Sequence, residues 1–442
     1  MQGMSESIDL HQSDLVGNLN EDVIRLKSQY ARLWWQSGPE FPRLGRTFTK
    51  TEQKQTEKKL SAFIDEASER LTTLPVIEGE QEEWLDDFVH FLKKFGREVL
   101  DLSDVYLDGV LRQSYVDSTR GFIDAINAFD PEMNIEYVYQ ALRNVWIMNT
   151  LQAYLGIDIE YSDAIFAYSL LYPLTDNFID DTDKSEERKY TLVERLKAWL
   201  EGGFQRPGSE REKKILRLIA LIENQYDRQT FPKVFQSLLA IFNAQIKSLN
   251  QQKKFSLPYE LDLIDVSMEK GGTSVLADGY LVAGNLEEEE ADFCFGFGAF
   301  LQLCDDIQDT SEDKSNHHMT LFSQTAGRFP LDRLANKLFS FISNVVDLKL
   351  DENNPDHRTL KTVIKGNCCY LVLEAIGKQQ SFFSNSYLQD IQHHFPVRFS
   401  YLKSLRKKLK KKFMEGKNKS VYDLNFISTV VMTAVSRTVS GL

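Results

Sequence analysis

Apolar residues recur at three- and four-residue spacing along almost the whole chain. Runs with the period of two that a half-buried strand requires are hard to find. That pattern restricts the chain to an all-α fold in which each helix buries one face. Helices are expected over residues 18–36, 51–73, 82–97 and 101–129, and from Asp130-Pro131 to about Leu155. They continue over 160–184, 208–226, 229–250, an acidic helix opened by residues 287–290, then 330–346, 355–380, 384–394 and 398–419. No repeat of 20–50 residues is visible, which sets a solenoid aside.

Two of these helices end in carboxylates. Residues 171–187 read LYPLTDNFIDDTDKSEE and residues 300–316 read FLQLCDDIQDTSEDKSN. Side chains four apart on a helix are neighbours, about 5–6 Å between Cβ atoms. Asp176 and Asp180 share such a face, flanked by Asn177, Asp181 and Asp183; Asp305, Asp309 and Asp313 make a stripe over two turns, with Asp306 beside it. Stacked carboxylates repel and weaken an isolated helix. Hard divalent cations give a reason for the arrangement, because Mg²⁺ takes oxygen ligands and bridges carboxylates to substrate phosphates. The competing reading is a solvated surface, since the chain has 65 acidic residues and one such pair is unremarkable among them. Each stretch, however, follows an apolar run (IFAYSLLYPL and FCFGFGAFLQLC), so each ends a buried helix. Two such ends can face each other across a bundle interior.

Other residues fit around this pair. Arg143 stands on an otherwise apolar segment, either as a salt-bridged residue or facing a substrate. Tyr172 shares a face with Ser169 and Asp176, and Pro173 is expected to kink or restart the helix just before the acids. Gly271-Gly272 interrupts a helical pattern at a cost of about 2 kcal/mol relative to alanine. It reads either as a plain turn or as a break that exposes backbone N–H groups to phosphate beside Lys270, Thr273 and Ser274. Gly296 and Gly298 leave room on the inner face of the second acidic helix. Residues 398–419 carry ten Lys or Arg, with Phe399, Leu402, Leu405, Leu409 and Phe413 on one face. Such a helix either rests on a membrane surface or packs on the domain with a solvated basic side.

Charge and cysteine usage narrow the function. A net charge of −13 argues against nucleic acid, whose phosphates select basic surfaces. It leaves a small phosphorylated substrate open, because bound metals reverse the local sign. The polar, acidic first residues are neither a signal nor a transit peptide, and no run of 18 apolar residues offers a membrane span. Cys294, Cys304, Cys368 and Cys369 lack metal-ligand spacing, and the pairs His317-His318 and His393-His394 lack an H-x-x-x-H partner, so zinc is not expected. Buried thiols fit a reducing cytoplasm.

With these residues in place, the chain resembles the class I isoprenoid synthases, the superfamily of trans-prenyltransferases and class I terpene synthases. Their D-D-x-x-D motif is matched by residues 176–180, with Asn177 where the second aspartate usually stands. Residues 301–309, LQLCDDIQD, resemble the second motif F-Q-x-x-D-D-x-x-D; on the terpene-synthase spacing the ligands fall at Asp305, Asp309 and Asp313. Lys270 with the residues to Ser274 resembles the family's Lys-Thr helix break, and Lys314 a lysine that follows the second motif.

The resemblance covers residues of about 100–420. It implies an N-terminal helical extension over 1–100 and a catalytic bundle over 101–442, with a central active-site cavity. It further implies two or three Mg²⁺, with Mn²⁺ as a substitute, on Asp176, Asn177, Asp180, Asp305, Asp306, Asp309 and Asp313. Asp176, Asp180, Asp305 and Asp309 would be catalytic, and Lys270, Thr273, Gln302, Lys314, Arg143 and Tyr172 would meet the substrate. Tyr172, Phe178, Phe295 and Trp146 are the aromatic candidates to stabilise a carbocation. No G-G-K-R-x-R-P-like segment precedes Asp176, and the arginine pair that usually follows the first motif is missing, residues 185–188 supplying only Arg188, out of place. The expectation therefore tilts from chain elongation to a terpene synthase ionising a single prenyl diphosphate. A prenyltransferase and a non-catalytic regulatory subunit are the alternatives; a homodimer and peripheral membrane contact through 398–419 stay open.

Overall fold

The computed structural model describes residues 19–72, 78–100, 104, 107, 108, 112–180, 185–252, 261–350 and 353–409. Among them there is no β-strand, only an isolated bridge between Ala326 and Phe329, so the fold is all-α as the periodicity requires. Asp181, Asp183 and residues 410–419 lie outside the described residues, as does the side chain of Asp180.

Helix α1 (Leu19–Gln36) shows the pattern at work: Val23, Leu26, Tyr30 and Trp34 fall on one stripe and are all buried. Glu21 and Asp22 sit in its first turn, where the helix dipole favours acids. Next come α2 (Lys50–Thr72), α3 (Glu78–Leu100) and α4 (Gln113–Phe129). The chain does not re-enter a helix at Asp130-Pro131. Asp130 instead ends α4, and Asn134 opens α5 (Ile135–Tyr154) by accepting the Glu136 N–H at 2.8 Å. The short polar side chain at Asn134 satisfies an N–H that the first turn would otherwise leave unmade.

Helix α6 (Asp163–Asp180) carries the first acidic stretch and runs through Pro173 without interruption. Helices α7 (Glu186–Leu200), α8 (Glu210–Gln225) and α9 (Pro232–Ser248) lead to the element that positions everything else, an antiparallel pair. Its arms are α10 (Leu263–Ala283) and α11 (Glu288–Gln308). Gly284, at φ +76°, ends α10 in a backbone region most side chains avoid, and reciprocal bonds between Glu287 and Glu290 start α11.

The expected break at Gly271-Gly272 does not occur, neither as a turn nor as exposed backbone, because α10 is continuous across it. A β-carbon at Gly271 would lie 2.3 Å from the Gly298 carbonyl oxygen, and one at Gly298 would lie 2.0 Å from that of Gly271. The glycines let two helix backbones touch, and the close packing gained outweighs their poor helix propensity. Nor do Gly296 and Gly298 leave space for a ligand. Tyr30 of α1 covers Gly296 while stacking on Phe295, and Phe295 in turn lies against Gly272.

After α11 come α12 (Thr310–Ser315), α13 (Leu321–Thr325), α14 (Asp332–Lys349), α15 (Pro355–Lys378), α16 (Asn385–Gln392) and α17 (Phe399–Leu409). One hydrophobic core runs from α1 to α17, so buried side chains on both sides of residue 100 belong to the same cluster. The Tyr30 hydroxyl bonds Asp292, which also takes Lys349, and Lys27 reaches Asp265 at 2.7 Å and Glu269 at 2.9 Å. Thus α1 braces the turn of α10 just before Lys270.

In α17 the apolar face is already used: Phe399, Leu402 and Leu405 are buried, while Arg398, Arg406 and Lys408 pair with Glu57, Glu374 and Asp65. Over these residues the apolar face packs on the domain; the side chain of Leu409 and residues 410–419, which include Phe413, lie outside the described part. Glu57 is buried and accepts from both the backbone and the guanidinium of Arg398. Glu57→Gln is therefore expected to loosen α17, seen as faster amide exchange across 399–409; unchanged protection would show that apolar packing alone holds it. Among the described residues all four cysteines are free thiols, and no helix is long and apolar enough to cross a membrane.

Candidate functional site

Lys270 is the hub of the acidic residues. Its ammonium stands 3.9 Å from the Asp176 carboxylate, with both side chains largely buried. Its charge also acts on Asp306 and on His318. Helix α10 therefore lies between the acidic end of α6 and that of α11, and one cation serves both. Arg143 of α5 reaches Asp305 at 3.1 Å, with Tyr172 and Asp309 in electrostatic range. Lys378 of α15 meets Asp309 at 3.3 Å. The Arg143–Asp305 pair is open to solvent, with side chains 65% and 48% exposed, so it is readily exchanged for another partner.

The second acidic stretch is not one uninterrupted helix. Asp309 closes α11 and opens α12, although the Asp309 N–H still bonds the Asp305 carbonyl and the Asp313 N–H that of Asp309. The carboxylates consequently occupy different surroundings. Asp305 and Asp309 are accessible, whereas Asp306 is buried and accepts from Ser267 at 2.8 Å and Gln302 at 2.9 Å. Burial, with the Asp305 charge, raises Asp306 to about 6 against the effect of these bonds. Asp313 is pushed up to about 8 by burial and by the charges of Asp306 and Asp309.

Asp313 allows a direct test. The folded chain keeps a proton there that the unfolded chain loses in the ordinary carboxyl range, so this group subtracts stability as pH rises from about 4 to about 8. In metal-free buffer, Asp313→Asn should show no gain in melting temperature at the acid end of that range and a growing gain toward the alkaline end. A gain independent of pH would rule the account out.

Of the remaining expected residues, Asn177 donates to Gln140 of α5 at 2.7 Å, which ties the first stretch to α5. Tyr172 keeps an accessible edge near Arg143. Thr273 is buried and turns its hydroxyl back to the Glu269 carbonyl at 2.6 Å, within its own helix. Lys314 points away from the acids, to the Ala326 carbonyl at 2.5 Å and over the Phe382 ring. Among the aromatic candidates, Trp146 bonds Thr119, Phe178 lies under Arg211, and Phe295 packs on Tyr30. Tyr172 alone of the four is left beside the acids.

His318 is a member of this cluster that sequence reasoning passed over. His317 has φ 57°, the one positive value among the described residues other than glycine, and it turns the chain back over α12. The His318 ring then lies 3.6 Å from Asp313, and burial and the Lys270 charge lower its pKa to about 4. The sequence signal was a histidine pair directly after the acidic helix.

Among the described residues no three His, Cys, Asp or Glu side chains form a ready-made metal cage. The donors nonetheless suit a hard cation, being carboxylate oxygens in which burial, and then the charge of neighbouring carboxylates, raises Asp306 and Asp313, an effect that added positive charge offsets. Two clefts lie elsewhere, of about 480 Å³ beside Arg112, Asp158 and Thr359 and about 780 Å³ between α2 and α3. Neither gathers residues from both acidic stretches. No protein-family model and no curated protein matches the chain.

Proposed function

We propose that the chain is a Mg²⁺-dependent class I terpene synthase, which ionises an allylic prenyl diphosphate and converts it to a terpene with release of diphosphate. The observation that carries this reading is Lys270, a largely buried ammonium between two acidic helix ends. Asp176, Asp180, Asp305, Asp309 and Asp313 would hold the metal. Bound Mg²⁺ supplies positive charge where the leaving group accumulates negative charge. Lys270 adds a fixed charge in a site of low dielectric, where it acts more strongly than in water. Arg143 can turn from the exposed Asp305 to a diphosphate at little cost. Gln302 and Ser267 orient Asp306, and Tyr172, one turn before Asp176 on α6, would meet the substrate.

Purified protein with Mg²⁺ and geranyl, farnesyl or geranylgeranyl diphosphate is the test, followed by released diphosphate and by extraction of hydrocarbons and alcohols. Release with a new terpene supports the reading. A longer diphosphate formed only with added isopentenyl diphosphate would replace it with chain elongation, and binding without turnover would replace it with a regulatory subunit.

A further inference from the structure

A second polar group lies on α5, α6 and α10, the helices that carry Arg143, Asp176 and Lys270. Lys270, Ser274 and Asp278 follow one another at four-residue steps along α10, so Asp278 lies about 12 Å further along the axis than Lys270. Ser169 precedes Asp176 by two turns on α6, and Asn144 follows Arg143 on α5. Asn144 donates to Asp278 Oδ1 at 2.9 Å and to Ser169 Oγ at 3.2 Å. Asp278 is completely buried, and its Oδ2 has no hydrogen-bond partner. Tyr168 of α6 and Cys294 of α11 stand close enough to interact with its charge. Asn144, which holds the acid, and Ser274, one turn before it on α10, both retain some exposure.

An unpaired carboxylate here would be costly, and an apolar residue would serve the core better. Burial accordingly raises the Asp278 pKa far above the carboxyl range, which leaves a neutral acid. Its O–H, on the oxygen without a partner, is a donor that no other side chain satisfies. Nothing in the proposed ionisation uses it, because the diphosphate would lie at Lys270 and Asp176, about two turns away along α10 and α6.

We propose that Asp278 is a proton-donating and proton-accepting catalytic residue for the hydrocarbon part of the substrate, held by Asn144 below the diphosphate site. This rests on the terpene synthase reading. The carboxyl proton passes to one carbon of a C=C bond, whose π pair forms the new C–H bond, and the neighbouring carbon becomes cationic. The carboxylate left behind then removes a proton from a carbon adjacent to that cation, which closes a new double bond and restores the acid. One solvent-exchangeable hydrogen enters for one that leaves, and no other reactant is consumed.

The test is turnover by full-length protein equilibrated in D₂O, with diphosphate release and product mass measured together. The wild type should place one deuterium on carbon. Asp278→Asn should still release diphosphate, give unlabelled and altered product, and melt no lower than wild type, since the amide keeps the shape without the buried acid. Unlabelled wild-type product, which requires no variant to fold, would overturn the proposal, as would label retained in Asp278→Asn. Absence of diphosphate release from the wild type would instead defeat the terpene synthase reading, so the two failures are told apart.

Discussion

Replacing Asp305 and Asp309 together by alanine should reduce diphosphate release by about 10³-fold or more while the fold survives. The activity loss follows if these carboxylates hold the metal that stabilises the leaving group. Survival of the fold follows from their exposure, with side chains 48% and 52% accessible and partners, Arg143 and Lys378, that water can solvate in their place. Removing two like charges from adjacent turns also relieves repulsion. The melting curve should therefore stay near that of the wild type, and Mg²⁺ should no longer shift it. Activity close to wild type in the double variant would remove these residues from the site.

The second large effect concerns the contact between α10 and α11. Gly298→Ala should destabilise the chain by about 3 kcal/mol, the upper end of overpacking costs. The atom that a new β-carbon meets at 2.0 Å is backbone, the Gly271 carbonyl oxygen, and no side-chain rotation can remove it. The helices must separate, which breaks a contact at the centre of the core. Separation would also move Lys270 and Ser267 on one arm relative to Asp305 and Asp306 on the other. Denaturant unfolding measures the first consequence, and diphosphate release the second. Stability equal to wild type would mean that the two backbones do not approach as closely as described.

These two regions differ in how far they could be read from residues alone. The acids were legible because helical spacing is a local property: Asp305 and Asp309 are neighbours wherever that helix packs. Gly271-Gly272 misled because propensity marks glycine as a helix breaker, whereas the partner backbone at Gly298 reverses the balance. Lys314 is adjacent to Asp313 in sequence but spends its ammonium on Ala326, a choice set by the chain's return through α13. His318 enters the site only because His317 adopts an uncommon backbone angle. Asp278 did carry a signal, as the lone carboxylate in the apolar run VLADGYLVAG, but its meaning depends on what surrounds it.

The order of residues alone determined that the chain is helical, which faces are apolar, and that two apolar helices end in carboxylates. Periodicity and charge are properties of neighbours along the chain, so they persist in any arrangement of the helices. Only the tertiary structure decided that α1 belongs to the common core, that glycines join α10 to α11, and that one lysine serves both acidic ends. Those outcomes depend on distances between residues far apart in sequence. Burial and the loss of solvent screening then give a carboxylate, an amide or an imidazole a character that its position along the chain does not carry.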